Sequence, residues 1–162
     1  MTTTGVKVHE GDFRPQQYKI SIVAAQFNQM ITRPLADAAI DVLLKFGIER
    51  GNIEVYWVPG AFEIPLTCKR IFEKKSHVDG IIAIGAVIEG ETAHFDHVAG
   101  QVAAGVMNVS LEASKPISFC VLTTSTIEQA MNRAGIKLGN KGGEAAQGLL
   151  EQLEVFNKSG LH

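Results

Sequence analysis

The stretch Gly80–Ile88 reads GIIAIGAVI, an unbroken apolar run without a charged side chain. It is too short to cross a bilayer, and it shows no alternation of polar and apolar residues. A continuous run of this kind is typical of a parallel strand that helices cover on both faces. We therefore predict a buried strand here, in a sheet that other parts of the chain complete.

Three further apolar runs predict the other strands: 18–25, 53–58 and 117–122. Between and after the strands, apolar residues recur at helical spacing in five segments: 31–46, 62–72, 95–112, 126–132 and 142–156. Gly47 is a stop signal for the first of these helices, and Thr126 suits an N-cap. This alternation predicts an α/β three-layer sandwich, with one four-stranded parallel sheet and right-handed crossovers.

The chain has 162 residues, of which 46% are hydrophobic and 20% charged, with a net charge of −2. This composition suits one domain, which we place at 18–162 after a polar arm at 1–17. The charge is too small to indicate a nucleic-acid or membrane partner. Because the first residues contain no apolar run and Cys68 and Cys120 have no paired spacing, we expect a cytoplasmic protein with free, buried thiols.

Ligands of open parallel sheets bind beyond the carboxyl ends of the strands. Four segments follow the predicted strands and interrupt the apolar runs with glycine or polar residues: 26–28, 59–63, 89–94 and 123–125. Two independent signals thus indicate the same edge of the sheet as the site.

The candidates in the first two segments each have a structural alternative. Phe27 offers a stacking face to a flat heterocycle, although an aromatic residue after a buried strand more often caps the core. Asn28 can hydrogen-bond a ring carbonyl or cap the next helix. Glu63 can meet a ligand or simply benefit from the dipole of its own helix.

The third segment suits anion binding and proton transfer. Gly90, Glu91 and Thr92 lie between a strand and a helix N-terminus, where unpaired N–H groups bind phosphate. His94 follows in the first helical turn and is the histidine best placed for proton transfer near neutral pH. A metal site on His94 and His97 has no further ligands nearby, so we expect none.

Two cations flank a segment that glycines interrupt. Arg133 precedes it and Lys141 lies at its end. Arginine suits two-pronged phosphate recognition. Solvated surface charge is the alternative for both residues.

Taken together, these segments resemble the lumazine synthase family. The resemblance extends from about Gly11 to the last helix, and its motifs occur in the family's order: AQFN at 25–28, VPGAFEIP at 58–65, GAVIEGETAHFD at 85–96, LTT at 122–124, EQA at 128–130, RAG at 133–135 and GNKG at 139–142. The resemblance implies a flavodoxin-like sheet topology.

It also implies a transferase reaction without a cofactor, the penultimate step of riboflavin biosynthesis. In that reaction 5-amino-6-(ribitylamino)uracil condenses with 3,4-dihydroxy-2-butanone 4-phosphate to give 6,7-dimethyl-8-ribityllumazine, phosphate and water. The amine attacks the ketone to form a Schiff base, phosphate is eliminated, and the ring closes with loss of water.

The resemblance assigns roles residue by residue. Proton transfer falls to His94. The residues for the uracil substrate are Phe27, Asn28, Ala61, Phe62, Glu63, Val87, Ile88, Phe119 and Lys141. Those for the phosphate are Glu91, Thr92 and Arg133. Of all these, Phe119, Arg133 and Lys141 are expected from an adjacent subunit, which places the site between two chains.

One position departs from the family pattern near the phosphate turn. Many members carry Arg where this chain has Glu89, so that Glu89 and Glu91 both flank the turn. Attraction by Arg133 and by the helix N-terminus then has to outweigh two carboxylates.

The resemblance further implies a homo-oligomer of pentamers. Family members that stop at pentamers often carry an insertion before the last helix, whereas the 135–142 turn has neither an insertion nor a proline. We therefore expect pentamers that close into an icosahedral cage. The 1–17 arm either frays or adds a strand to a neighbour's exposed sheet edge.

Two other functions remain open from the sequence. A flavodoxin-like carrier or sensor would bind a flavin or lumazine without catalysis, although it has no need of His94 beside Arg133. A shell protein would use the cage itself, and that role is compatible with catalysis.

Overall fold

The computed structural model of the protein describes residues 7–10, 17–90, 94–137 and 139–161, with the backbone alone at His94 and Asp96. Four strands lie within them: β1 (Ile20–Ala25), β2 (Ile53–Val58), β3 (Gly80–Ile88) and β4 (Ile117–Thr124). The α-helices are α1 (Gln29–Lys45), α2 (Ile64–Lys74), α3 (His94–Ala113), α4 (Ile127–Arg133) and α5 (Lys141–Ser159). Short 3₁₀ turns cover Arg50–Asn52 and Ala61–Glu63.

All four strands are parallel, and their order in the sheet is β2-β1-β3-β4. One core layer packs the sheet against α1, α4 and α5, and a second packs its other face against α2 and α3. The run that predicted the fold, β3, is buried from Gly80 to Ala86. These findings confirm the α/β three-layer sandwich and its flavodoxin-like strand order.

Two strands have the predicted bounds and two differ by two residues each. β1 begins at Ile20, because the preceding Lys19 N–H binds the Asp79 carboxylate at 2.7 Å instead of a strand carbonyl. β4 continues through Thr123 and Thr124, which pair in register with the last two residues of β3. Both are β-branched and fit a pleated surface, so the prediction that they follow the strand is wrong.

The helix signals have the predicted effects. Thr126 caps α4, since its Oγ1 accepts a hydrogen bond from the Gln129 N–H at 3.1 Å. Gly47 follows α1 with φ 89°, a conformation that glycine adopts without steric cost. The helix predicted from residue 62 starts as the 3₁₀ turn Ala61–Glu63 and becomes α-helical at Ile64.

The start of α5 docks tightly on α1. A Cβ placed on Gly142 would lie 1.9 Å from the Leu35 carbonyl oxygen, so only glycine fits there. Asn140 caps α5 by accepting from the Gly142 N–H at 2.8 Å. Its Nδ2 also donates to Ala134 O (2.8 Å) and Pro34 O (3.1 Å), which ties the preceding turn to α1.

Of the arm, the structure describes Gln17, which is exposed and lies just before β1, and residues 7–10, which are exposed and form no strand. Residues 7–10 contact the end of α5 of the same chain: His9 Nδ1 lies 2.7 Å from Ser159 Oγ, and Lys158 Nζ donates to Glu10 O at 3.2 Å. The strand that we predict the arm adds to a neighbour stays a prediction.

Candidate functional site

A cleft lies at the carboxyl edge of the sheet. The chain leaves β1 and β3 in opposite directions, toward β2 and β4, and this opens a crevice of the kind in which α/β sheets bind ligands. The cleft has a volume of about 260 Å³. Six residues of the predicted site line it: Phe27, Ala61, Phe62, Glu63, Val87 and Ile88.

Phe27 presents its ring to solvent. The residue is 71% exposed, so the interpretation that it caps the core is wrong. Its N–H donates to the Pro59 carbonyl at 3.0 Å, which ties it to the loop after β2. Phe62 lines the same cleft and is 61% exposed. Because exposed aromatic surface is costly to hydrate, the two rings favour an apolar or flat occupant.

Asn28 has a left-handed backbone (φ 62°, ψ 42°), which Asn adopts more readily than most residues. Its side chain does not cap α1, so that alternative is wrong. Nδ2 donates instead to the Ala86 carbonyl on β3 at 2.8 Å. Because a carbonyl can only accept, this bond fixes the amide orientation and leaves Oδ1 as the acceptor for a ligand.

Glu63 is held by its own turn. One carboxylate oxygen accepts from the Gly60 N–H at 2.9 Å, and the Glu63 carbonyl accepts from the Thr67 hydroxyl at 2.9 Å. The residue is also exposed and lines the cleft. The structural role and the ligand role are therefore compatible, since each uses a different part of the carboxylate.

The predicted phosphate turn lies largely outside the described residues. This applies to Glu91 and Thr92, and to the side chain of His94. Gly90 lines the cleft, and His94 is the first residue of α3, a helix of 20 residues. The described residues on either side of it thus lie at the cleft and at a helix N-terminus. Glu89 is exposed, and its N–H binds the Thr124 carbonyl at 2.9 Å.

Phe119 lies away from this cleft. It is 44% exposed on β4, a strand at the edge of the sheet, and pairs in register with Ala83. Val87, which lines the cleft, is four residues farther along β3, about 13 Å at the usual rise of a strand. The ring is therefore too low on the sheet to join its own chain's cleft.

Arg133 and Lys141 are exposed at the end of α4 and the start of α5. Neither is among the described residues that line the cleft. Arg133 Nη1 donates to the Gln129 carbonyl at 3.3 Å, and Lys141 pairs with Glu144. One chain thus brings together only part of the predicted site.

A family model described as 6,7-dimethyl-8-ribityllumazine synthase matches residues 17–157. The chain belongs to this family. It is 50% identical over 150 residues to the 6,7-dimethyl-8-ribityllumazine synthase of Kosmotoga olearia, which covers 93% of this chain and 96% of the relative. It is 49% identical to that of Limosilactobacillus reuteri, over 93% and 97%, and 46% identical to that of Pediococcus pentosaceus, over 90% and 92%. This lumazine synthase family member is an enzyme of the transferase class.

Sequence reasoning missed several residues of the cleft in this lumazine synthase family member. Ala86, Phe95 and Val98 also line it. Phe95 and Val98 are three residues apart on α3, a spacing that indicates one helical face but not what that face meets. Thr32 was missed as well, although it is fully buried and donates its hydroxyl to the Ala25 carbonyl at 2.7 Å.

The two thiols are free and buried, as predicted. Burial raises the pKa of both Cys68 and Cys120 to about 12, so they stay protonated near neutral pH and are poor nucleophiles. No group of three or more His, Cys, Asp or Glu residues in the described part of the chain could hold a metal ion. No helix among the same residues is long and apolar enough to span a bilayer.

Proposed function

We infer that the chain condenses 5-amino-6-(ribitylamino)uracil with 3,4-dihydroxy-2-butanone 4-phosphate to give 6,7-dimethyl-8-ribityllumazine, phosphate and water. The observation that carries this inference is the cleft at the strand switch point, where the family motifs of three segments converge around two exposed aromatic rings. The reaction needs orientation of an amine against a ketone and proton transfer, both of which protein side chains provide.

The uracil subsite is the part that one chain supports best. Phe27 stacks on the pyrimidinedione, and Asn28 Oδ1 accepts from a ring N–H. Ala61, Phe62 and Glu63 hold the ribityl chain, whose hydroxyls suit the free carboxylate oxygen of Glu63. The backbone at Val87 and Ile88 completes the contact with the ring edge.

The phosphate subsite begins where Gly90 lines the cleft. Glu91 and Thr92 contribute backbone N–H groups there, and the N-terminus of α3 favours an anion. His94 then moves protons during Schiff-base formation and phosphate loss. Glu89 lowers the attraction for phosphate, so a cation must compensate for its charge.

The adjacent subunit supplies that cation. Arg133 binds the phosphate, Lys141 and Phe119 complete the uracil subsite, and the chains associate into pentamers that close as an icosahedral cage. Exposure of Phe119 on an edge strand supports this arrangement, since an aromatic residue there is commonly covered by a partner. The cytoplasm is the compartment that suits two free thiols.

The direct test is to mix both substrates with the purified protein. We expect lumazine fluorescence to appear together with one equivalent of phosphate, in the absence of added metal or cofactor. A protein that binds a yellow flavin or lumazine but releases no phosphate would instead be the non-catalytic carrier. Variants that lose turnover and still assemble would separate catalysis from the shell role.

A further inference from the structure

Two side chains close the gap that opens between β1 and β3. The strands pair in register as far as Ala24 and Ile84. Hydrogen-bonding groups alternate between the two sides of a strand. The Gln26 N–H bonds to Val58 on β2, so the preceding residue, Ala25, directs its carbonyl toward β3.

The same alternation applies on β3. The Glu89 N–H bonds to Thr124 on β4, so Ile88 and Ala86 direct their N–H and C=O groups toward β1. Just beyond the last paired residues, the Ala25 carbonyl therefore points toward β3, and the Ala86 carbonyl points toward β1.

Each of these carbonyls receives a side-chain donor from the start of α1. The Thr32 hydroxyl donates to Ala25 O at 2.7 Å, and Asn28 Nδ2 donates to Ala86 O at 2.8 Å. The two donors are themselves linked, because the Thr32 N–H donates to the Asn28 carbonyl at 3.1 Å. Phe27 lies in the chain between the first anchored carbonyl and Asn28.

We propose that Thr32 is a positioning residue of the uracil subsite. Its hydroxyl holds the end of β1, and with it the Phe27 ring, at a fixed distance from the Ile88 backbone that faces the same gap. Thr32 is fully buried and touches no substrate, so it acts through Ala25 and Phe27. The inference rests on the proposed function for the identity of the ligand, but not for the anchoring itself.

The reason lies in what the hydroxyl prevents. A buried carbonyl that loses its donor either recruits water or shifts toward another donor. Either change moves the end of β1 relative to β3. A displacement of about 1 Å in a binding site can cost about 100-fold in rate, because the reacting atoms leave their aligned geometry.

The test compares Thr32→Val, which keeps the shape and removes the hydroxyl, with Thr32→Ser, which keeps the hydroxyl. Ser110→Ala is the matched control, because Ser110 Oγ also donates to a carbonyl, that of Lys115 at 2.7 Å, near the other end of α3. For Thr32→Val we expect about 10-fold weaker binding of the uracil substrate, with the affinity for butanone phosphate unchanged. Thr32→Ser should restore the wild-type value, and Ser110→Ala should keep it.

A merely structural Thr32 would lower the melting temperature and leave both affinities unchanged well below it, and that result would overturn the proposal. Thr32→Ala replaces the valine variant if the latter does not fold. Hydrogen exchange supplies a readout without substrate: Thr32→Val should speed exchange in peptides covering 26–30 and 86–90. If the wild type forms no lumazine but exchange changes as expected, only the proposed function fails. Unchanged exchange refutes the anchoring itself.

Discussion

Phe27 and Asn28 are neighbours in the chain with opposite surroundings. The Phe27 ring is exposed in the cleft, whereas the Asn28 amide is engaged with a carbonyl of β3. The left-handed backbone of Asn28 turns the chain between them, so that the ring leaves the core just where the strand ends. The arrangement of these two side chains thus depends on the left-handed backbone of Asn28, which few residues other than Gly, Asn and Asp adopt at low energetic cost.

His94→Ala should slow turnover by about 10²- to 10⁴-fold, the usual cost of losing a positioned acid–base group. His94 is the first residue of α3, four residues after Gly90 of the cleft, and a neutral side chain there should not affect folding. Steady-state kinetics with a thermal melt would check both statements. Wild-type turnover in this variant would remove His94 from the mechanism.

The thiols give a prediction about alkaline pH. Burial raises the pKa of Cys68 and Cys120 from 9.0 to about 12, so the folded chain holds these protons more tightly than the unfolded chain. The stability they contribute is therefore complete below pH 9 and is lost as the pH rises toward 12. Denaturant titrations between pH 8 and 11 should show that the free energy of unfolding falls as the pH rises. In Cys68→Ala this decrease with pH should be smaller. An equal slope in that variant would contradict the assignment to Cys68.

The sequence predicted six of the residues that line the cleft but not the surroundings of their side chains. For Phe27 alone, residue type favoured a core position over an exposed one, because its exposure depends on where the Asn28 turn directs the chain. Thr32 gave no signal, since a threonine between Ile31 and Leu35 on an apolar helical face reads as a packed position. Its partner, the Ala25 carbonyl, belongs to the backbone, and side-chain patterns do not report it.

At the scale of elements, the positions of strands and helices followed from apolar runs and stop signals. The errors lie at the ends of elements: β1 begins two residues later than predicted, the α-helix predicted from residue 62 begins at Ile64, and Thr123 and Thr124 extend β4 although they are polar. Polarity predicts exposure, whereas strand length depends on whether a neighbour offers hydrogen bonds. β3 offers them as far as Ile88, so β4 continues to match it.

Two glycines of α5 should respond in opposite ways to substitution by alanine, because only one of them lies at the contact with α1. Gly142→Ala should lower the free energy of unfolding by about 3 kcal/mol, because its Cβ would overlap the Leu35 carbonyl and separate the helices. Gly148→Ala should raise it by about 0.5–1 kcal/mol, since a Cβ there meets nothing within 4 Å and alanine favours the helix. Urea titrations of both variants would check this. Similar effects from the two substitutions would mean that the close approach is absent in solution.

At the scale of the whole molecule, Arg133 and Phe27 should belong to different chains of one site. Arg133→Ala should weaken butanone phosphate binding by about 1.5–3 kcal/mol, the value of a charge-assisted contact, and Phe27→Ala should weaken uracil binding. Refolding the two impaired variants together should restore about a quarter of the wild-type sites, because in a ring of randomly mixed chains about a quarter of the neighbouring pairs combine an intact Phe27 with an intact Arg133. Absence of any recovery in verified mixed oligomers would argue against a shared site.

Particle size tests the assembly itself. The short turn at 135–142 leaves no insertion to obstruct contacts between pentamers, so sedimentation and electron microscopy should find closed cages. Particles that stay the size of one pentamer in every buffer would rule out the cage. An active monomer would rule out the shared site as well, because Phe119 cannot reach its own chain's cleft.

The order of the strands in the sheet also determines which strand edges stay unpaired while the chain is being synthesised. β1 is synthesised first but lies in the middle of the sheet, and its inner partner β3 follows much later. Asn28 and its hydrogen-bond partner Ala86 are 58 residues apart in the sequence. The nascent chain can therefore pair β1 with β2 before β3 is available to form the other side of the crevice. Long-range pairing of this kind is slow and leaves apolar strand edges open to other chains. The edge of β1 that faces β3 therefore stays open in the nascent chain until β3 itself has left the ribosome.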